Sequence, residues 1–183
     1  MNLGNVRAGG AFSGGNVTVT NTAAADGYSD DLGVSLGAAN GGFALSGDVS
    51  VIAAGGNRAL GIGYVGSTTT AGLKSGTLTV GMVSKGQSGT GLADVSLSPV
   101  TVDVSATVYR PAVGVLGATA LDLGSVREGE SFVAGSLSVT NNVVADGFSE
   151  KLNASLGPVY RDWETVCVMM LRLVVVRVFM LVV

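Results

Sequence analysis

Histidine is absent from this sequence of 183 residues, and cysteine occurs once, as Cys167. The chain therefore lacks the commonest general base at neutral pH and the commonest zinc ligand. Catalysis by Ser-His-Asp or Cys-His groups is excluded, and a single cysteine excludes an intrachain disulfide. A small secreted domain held by disulfides is excluded with it, whereas a bacterial surface or repeat protein is compatible with this composition.

Charge and aromatic side chains are also scarce, at 13% and 5% of the residues. Residues 1–160 hold seven basic and eleven acidic residues, a net charge of -4, and residues 161–183 hold three and two, a net of +1. Because the first 160 residues offer no basic face for phosphates, we expect no nucleic-acid partner. The opening MNLGN has neither the basic nor the apolar part of a signal peptide, so a signal for export is expected upstream.

Glycine is abundant, with 29 residues, and apolar residues alternate with polar ones along residues 1–111. This period of two predicts six or seven short strands with one inward face each. Glycine-rich and asparagine-rich stretches at 38–42 and 55–57 are typical of turns. An all-β fold follows, an immunoglobulin-like antiparallel β-sandwich. The alternating sets are Val17-Val19, Leu32-Val34-Leu36, Val49-Val51, Leu60-Ile62-Tyr64, Leu78-Val80-Met82 and Val100-Val102-Val104-Ala106-Val108.

The sequence repeats itself after 120 positions. Residues 3–37 align without a gap with residues 123–157, with 18 identities in 35. Solenoid repeats have periods of about 20 to 50 residues, so each unit here is expected to be a domain. The prediction is one module over residues 1–111 and a truncated second module over residues 112–160, poorly ordered unless its strand edges are covered.

The longest repeated phrase reads VTNTAAADGYSDDLGVSLG from Val19 and VTNNVVADGFSEKLNASLG from Val139. It is interpreted as a strand, a corner and the next strand. Asn21 ends the first strand by bonding nearby backbone, and Gly27 takes a positive φ in the turn. The ring of Tyr28, replaced by Phe148, is expected to fold back onto the end of the sandwich.

The segments LGNVRAGGAFSGGNVTVTNT at 3–22 and LDLGSVREGESFVAGSLSVTNN at 121–142 resemble the leading strands of Hydin-like (ASH-type) immunoglobulin-like domains. The phrase VTNTAAADGYSDDL and the closing VDVSATVYRPA resemble, more narrowly, bacterial choice-of-anchor D modules. The resemblance covers residues 1–160 and implies tandem modules of a large exported surface protein with a non-enzymatic role. It brings no catalytic, cofactor or metal residues.

Two segments imitate nucleotide-binding loops. Residues 61–66 match G-x-G-x-x-G, but Ser67 and three threonines follow where the fingerprint needs a helix. Residues 66–75 fail the phosphate-loop spacing at two points, since five residues separate Gly66 from Gly72 and Leu73 precedes Lys74. We interpret the first as a strand and the second as a loop that leads into one.

Other polar candidates have an ordinary interpretation. The cluster Asp26, Asp30 and Asp31 becomes Asp146, Glu150 and Lys151 in the second copy, so a solvated turn is favoured over a shared calcium site. Arg7 and its counterpart Arg127 are expected to be exposed strand residues beside glycine turns rather than ligand contacts. The glycosylation sequons at Asn16 and Asn153 fall in or beside predicted strands and are discounted.

The tail at 161–183 departs from the rest in composition. It has no glycine, and it holds three of the five methionines, the only Trp and the only Cys. One interpretation is a frameshift within the second module. A membrane anchor over residues 166–183 is the alternative, although Arg172 and Arg177 near its middle would each cost about 2.5 to 3.5 kcal/mol. A genuine pair of hydrophobic strands is the third.

The function expected is a non-catalytic spacer of a bacterial cell-surface or autotransporter-like protein, whose partners are neighbouring modules of the same chain. The alternative is adhesion, in which the loops at 38–42 and 84–91, at one end of the sandwich, contact a glycan, host or matrix ligand. These loops lack the aromatic platforms that sugars need, which favours the spacer. An enzyme would need a carboxylate pair, and Asp94 and Asp103 are expected to lie scattered at strand edges.

Overall fold

The computed structural model of the chain describes residues 1–87 and 89–156. The chain divides into two compact units, Met1–Arg110 and a second that begins at Pro111. The described residues form strands and turns, with no helix among them.

Seven strands in two sheets make up the first unit. One sheet has the order β1-β7-β6-β3 and the other the order β2-β5-β4. This arrangement confirms the predicted immunoglobulin-like sandwich. The strands are β1 (Asn2–Arg7), β2 (Gly15–Thr20), β3 (Asp31–Ala39), β4 (Phe43–Ser46), β5 (Asn57–Tyr64), β6 (Gly72–Lys85) and β7 (Val95–Tyr109).

One pair of strands is not antiparallel. The first strand, β1, lies parallel to the last, β7, with Val6 opposite Val108 and Arg7 opposite Tyr109. A parallel pair cannot be joined by a tight turn, and here the whole unit separates the two strands. Alternation of apolar residues predicts strands but carries no information on their direction.

The core lies between the sheets in two neighbouring clusters. One is built around Leu78, Phe43 and Val104, and the other around Leu60, Leu32 and Ile52. The side chains of Val17 and Leu45 pack against both clusters and join them. Most buried side chains of this core alternate with exposed or half-buried neighbours, as the sequence predicts, and the exception is the start of β3, where Leu32, Gly33 and Val34 are buried in succession.

One of the predicted strands is wrong. Val49 and Val51 lie in the connection after β4 and are 44% and 46% exposed. The buried residue of that connection is Ile52, which forms an isolated bridge with Leu32. The connection thus touches the core at one point, and the true fourth strand precedes it at Phe43–Ser46.

Two predicted inward faces are buried over only part of their length. In β7, Val104, Ala106 and Val108 are buried, whereas Val100 is 50% exposed. The reason is length, because β7 has 15 residues and β5, the longest strand of the opposite sheet, has 8. In β3, Leu36 is 38% exposed, just before the register shift that precedes Ala39.

The second unit contains a two-stranded sheet among its described residues. Strand β8 (Gly114–Leu116) pairs antiparallel with β9 (Val139–Asn141), with Leu116 opposite Val139. Strand β9 is the copy of residues 19–21 of the first unit, at the repeat distance of 120. The tail predicted at 161–183 lies outside the described residues.

Candidate functional site

The connections of the first unit gather at two opposite ends of the sandwich. At the Asn21 end lie the loops at 21–30, 47–56 and 86–94. At the Asn40 end lie the loops at 8–14, 40–42 and 65–71, beside the end of β7. Loop residues are the usual carriers of binding function, so these two ends are the candidate sites.

The binding surface predicted from the loops at 38–42 and 84–91 is wrong. In the antiparallel pair of β3 and β6, Asp31 lies opposite Lys85 and Ala39 lies opposite Leu78. The loop after β3 and the loop after β6 therefore lie at opposite ends of the sandwich. They cannot contact one small ligand together.

The Asn40 end is closed by hydrogen bonds of its own. The Asn40 Oδ1 accepts a bond from Thr77 N at 2.7 Å, and its Nδ2 donates to Thr77 Oγ1 at 2.8 Å. The Val65 and Gly66 amides both donate to Gly42 O, at 2.8 and 3.1 Å. The polar groups of the loop at 40–42 are thus engaged by the neighbouring strand and loop.

The Asn21 end is organised by a buried amide. Asn21 is 8% exposed, and it is the buried polar residue of the described chain. Its Nδ2 donates to Asp30 O at 3.0 Å and to Ile52 O at 3.2 Å, while its Oδ1 accepts from Ala23 N at 3.2 Å. One side chain thereby joins its own turn to the start of β3 and to the loop at 47–56, as buried amides must find partners.

The corner after Asn21 is a turn around Asp26. The Asp26 Oδ1 accepts bonds from Tyr28 N at 2.9 Å and from Ser29 N at 3.1 Å. Gly27 has a φ of 80°, as predicted for this turn. The Tyr28 N–H, followed by the Ser29 hydroxyl and N–H, holds the pKa of Asp26 below its ordinary value.

The prediction for the Tyr28 ring is wrong. Its side chain is 91% exposed and does not fold back onto the sandwich. The backbone of Tyr28 is held by Asp26, and its ring projects from the corner into solvent. The counterpart Phe148 is half-buried in the second unit, so the two copies differ here.

The carboxylates at the Asn21 end engage separate partners. The Asp30 Oδ2 accepts from Ser84 Oγ at 2.7 Å, whereas Asp48 pairs with Arg58 and accepts from the Ser50 amide. Lys85 Nζ lies 2.5 Å from Asp94 Oδ2. The Ser50 N–H and hydroxyl, with Arg58, lower the pKa of Asp48, and a hydrogen bond from Lys85 lowers that of Asp94.

These pairings bear on the metal and enzyme hypotheses. Among residues 1–87 and 89–156, no three side chains of the His, Cys, Asp and Glu types converge on a point. Asp103 lies on β7, whereas Asp94 precedes that strand and pairs with Lys85. Asp94 and Asp103 are therefore separated by eight residues of extended chain and do not form a pair that could act as acid and base together.

The first nucleotide-like pattern lies mainly on a strand, as predicted, whereas the second, predicted as a loop over 66–75, is strand from Gly72 onwards. Residues 61–64 belong to β5, and residues 65–71 form the loop that leads to β6. Phosphate binding in the G-x-G-x-x-G fingerprint depends on a helix N-terminus, which is missing at this place. Arg7 is exposed at the end of β1, and Asn16 is exposed on β2. Arg127 and Asn153 are exposed outside the described strands.

The repeated residues make the same local bonds in both units. Asn141 Nδ2 donates to Glu150 O at 3.0 Å, as Asn21 Nδ2 does to Asp30 O. Asp146 Oδ1 accepts from Phe148 N at 2.9 Å, as Asp26 does from Tyr28. Further up the chain, the amides of Gly4 and Gly124 each donate at 2.8 Å to the side chain two residues before them. The repeat is therefore a repeat of turn geometry.

A shallow depression also lies on the surface of the first unit. It has a volume of about 550 Å³, is widely open, and lies between the chain start and the strands β6 and β7. Its one ionisable side chain is Asp103, and the amino group of Met1 already donates to Asp103 O at 2.6 Å. Binding pockets usually enclose most of a ligand and converge several polar groups on it, which this depression does not.

The chain has little similarity to known proteins. No protein-family model matches the chain, and no curated protein matches it. A solved structure from Caenorhabditis elegans, SSP-19, described as an MSP-domain protein like family member, is similar at 17% identity. The match covers 56% of this chain and 92% of that chain, with a TM-score of 0.37. The fold assignment above rests on the strand order and not on this similarity.

None of the described segments forms a helix long and apolar enough to cross a bilayer. The anchor hypothesis for residues 166–183 lies outside them.

Proposed function

We propose that this chain is a non-catalytic structural module of a tandem array, a spacer in an exported bacterial surface protein. The observation that carries the proposal is the recurrence of the same local bonds after 120 residues. Residues kept between copies for a shared ligand would leave polar groups free to meet it. Here Asn21, Asp26 and their copies Asn141 and Asp146 instead hold backbone groups of their own turns.

The exported setting rests on composition and on the resemblance to choice-of-anchor D modules. The chain has few charged residues, a small net negative charge and no pair of cysteines. Such a module needs neither a basic partner nor an oxidising compartment for its stability. The partners of such a module are its neighbours along the chain. The immunoglobulin-like sandwich supports many functions, so the assignment is argued from the bonds and not from the fold.

A direct test measures length. Arrays of one, two and four copies of residues 1–120 are compared by small-angle X-ray scattering. A spacer holds its modules at fixed distances from one another, so the maximum dimension should rise by the same increment with each added copy. The control replaces residues 112–120 of each copy by a flexible Gly-Ser linker, which should give a smaller increment. Arrays that collapse to a common size would count against the spacer.

An adhesion module is the second candidate, favoured by the surface of the Asn21 end. Tyr28 is 91% exposed and Leu92 is 65% exposed, in two loops joined by the bond from Gln87 Nε2 to Ser29 O at 2.7 Å. Exposed aromatic residues on a supported loop are frequent anchors of protein interfaces. The loops that carry Tyr28 and Leu92 lie at the same end of the sandwich, whereas the register of β3 and β6 places the loops at 38–42 and 84–91 at opposite ends.

The second candidate is tested by binding. The full chain is applied to a glycan array and a panel of matrix proteins, beside a Tyr28→Ala variant and a Tyr109→Ala variant at the other end. The spacer proposal expects no reproducible ligand for any of them. A ligand that is lost with Tyr28→Ala and kept with Tyr109→Ala would establish adhesion at the Asn21 end.

A further inference from the structure

In the second unit, the residues at 111–117, here called the linker, contain strand β8, which pairs with the edge of β9. Asn142 N donates to Val113 O at 2.7 Å, and Gly117 N donates to Ser138 O at 2.8 Å. The backbone groups of residues 138, 140 and 142 therefore point towards β8, because alternate residues of an antiparallel pair bond to the same side. The side chains add two bonds, from Val113 N to Asn141 Oδ1 at 3.0 Å and from Thr140 Oγ1 to Val115 O at 3.4 Å.

The same edge exists in the first unit, on β2. Residues 138, 140 and 142 correspond at the repeat distance to Thr18, Thr20 and Thr22. Strand β5 occupies the other side of β2, since Asn21 N donates to Gly56 O at 2.9 Å and Gly55 N donates to Asn21 O at 3.0 Å. The backbone groups of Thr18 and Thr20 point away from β5, and β2 is the outermost strand of its sheet.

The two edges also match in their side chains. Thr20 has the same hydroxyl as Thr140, placed to donate to an incoming carbonyl. Both threonines are exposed to solvent, so their side chains do not pack against apolar residues that an added strand would have to displace. On the linker, a Cβ at Gly117 would lie 2.2 Å from Ser138 Oγ, so a larger residue there would require the Ser138 side chain to turn away.

We propose that the outer edge of β2 is a docking edge for the linker strand of a neighbouring module, a segment with the chemistry of Val113-Gly114-Val115-Leu116-Gly117. The strand adds antiparallel to β2 by main-chain bonds to Thr18, Thr20 and Thr22, as β8 adds to β9. This inference rests on the proposed function, because a tandem array supplies such a linker. It names the contact through which each module engages the segment that precedes it.

The test adds the linker to the full chain as a peptide. The probe is the blocked peptide PAVGVLGA, the sequence of residues 111–118, and the control peptide has proline at the position of Val115. Hydrogen exchange is followed by NMR at single amides. At saturation, the amides of Thr18, Thr20 and Thr22 should exchange at least about tenfold more slowly, because exchange then requires the added strand to leave. The proline peptide lacks a central donor and should give no protection.

A matched variant of the protein locates the edge. Thr20→Pro removes an outward amide and leaves the bonds of β2 to β5 in place, since proline is tolerated on edge strands with this orientation. It should abolish the protection by the peptide, whereas the exchange of the Val17 and Val19 amides should stay unchanged. The peptide comparison on the unsubstituted chain decides the question if this variant does not fold.

Three results would overturn the inference. The first is unchanged exchange at the three threonines with peptide up to about 1 mM. The second is protection confined to residues 138–142, which would mean that the peptide only displaces β8. The third is a dimer of the chain in sedimentation that Thr20→Pro converts to monomer, which would make a second copy the occupant. If the peptide does not protect the three threonines and the arrays lengthen regularly, the spacer function is kept and only this contact is rejected. If the peptide protects the threonines and the arrays collapse, the spacer function is rejected.

Discussion

At the scale of single residues, Asn21 has a larger part in this fold than its sequence context suggests. Its position after an alternating strand predicts a local bond in the next turn, and the bond from Ala23 N confirms that. The bonds to Asp30 O and Ile52 O could not be predicted, because they join segments brought together by the tertiary fold. Local patterns carry information on local partners only.

Replacing Asn21 should therefore be costly. In Asn21→Ala, the carbonyl groups of Asp30 and Ile52 lose a partner at a buried place, and the free energy of unfolding should fall by about 1–3 kcal/mol. Urea denaturation measures the loss. Asn16→Ala, at an exposed position of the same strand, should change stability by less than about 0.5 kcal/mol. Equal losses for the two variants would contradict the role of Asn21.

Asp26 predicts a dependence on pH. Its folded-state pKa lies below the ordinary value of 3.8, so its hydrogen bonds favour the folded state fully above that pH. This contribution is lost as the pH falls through the lower pKa of the folded state, where the unfolded chain binds more protons. In Asp26→Asn, the thermal midpoint should fall less between pH 5 and pH 2, roughly, than in the unsubstituted chain. Calorimetry at matched ionic strength compares them, and parallel pH profiles would count against the assignment.

At the scale of strands, the alternating sets predict five elements of the first unit correctly, miss β4 and place one strand where the structure has a connection. The phrase at 43–46 is too short for its alternation to be noticed, although Phe43 is 3% exposed. Val49 and Val51 alternate as a strand would, yet the connection reaches the core only through Ile52. Alternation of apolar and polar residues shows that a segment can form a strand, but it does not show that a neighbouring strand is there to pair with it.

The strand β6 offers a matched pair of leucines for a test. Leu78 is fully buried between the sheets, whereas Leu73 is 60% exposed on the same strand. Leu78→Ala should lower the free energy of unfolding by about 2–5 kcal/mol, because it removes buried methyl groups and leaves a cavity. Leu73→Ala should lower it by less than about 0.5 kcal/mol. If urea denaturation gave similar midpoints for both, the inward face of β6 would be misassigned.

At the scale of the molecule, the buried core belongs to one unit. All the buried hydrophobic residues of the described chain, from Leu3 to Val108, lie within Met1–Arg110. The repeat predicts this unit from the sequence. The fate of the second copy could not be predicted from the match alone, since its 35 aligned residues specify turns and one strand edge but not a second sheet.

Removing the second unit should therefore leave the first intact. A chain that ends at Arg110 should unfold at the same urea midpoint as the first unit does within the full chain, because it retains both core clusters. A chain that ends at Leu156 should be more soluble than the full chain, since the apolar, low-charge segment at 161–183 is removed. A lower midpoint for the shorter chain would mean that the second unit stabilises the first.

The parallel pairing of β1 with β7 decides how the first unit responds to a pull on its ends. The chain enters at the start of β1, where Asn2 lies opposite Ser105, and leaves at the end of β7, and the two parallel strands are joined by bonds such as Ala8 N to Tyr109 O at 2.8 Å. Tension between these points slides one strand along the other, so the bonds of this ladder carry the load together in shear instead of opening one after another. We therefore expect the parallel pair of β1 and β7 to be the part of the unit that resists a pull on its ends, and the rate of forced unfolding to depend on the rupture of its bonds.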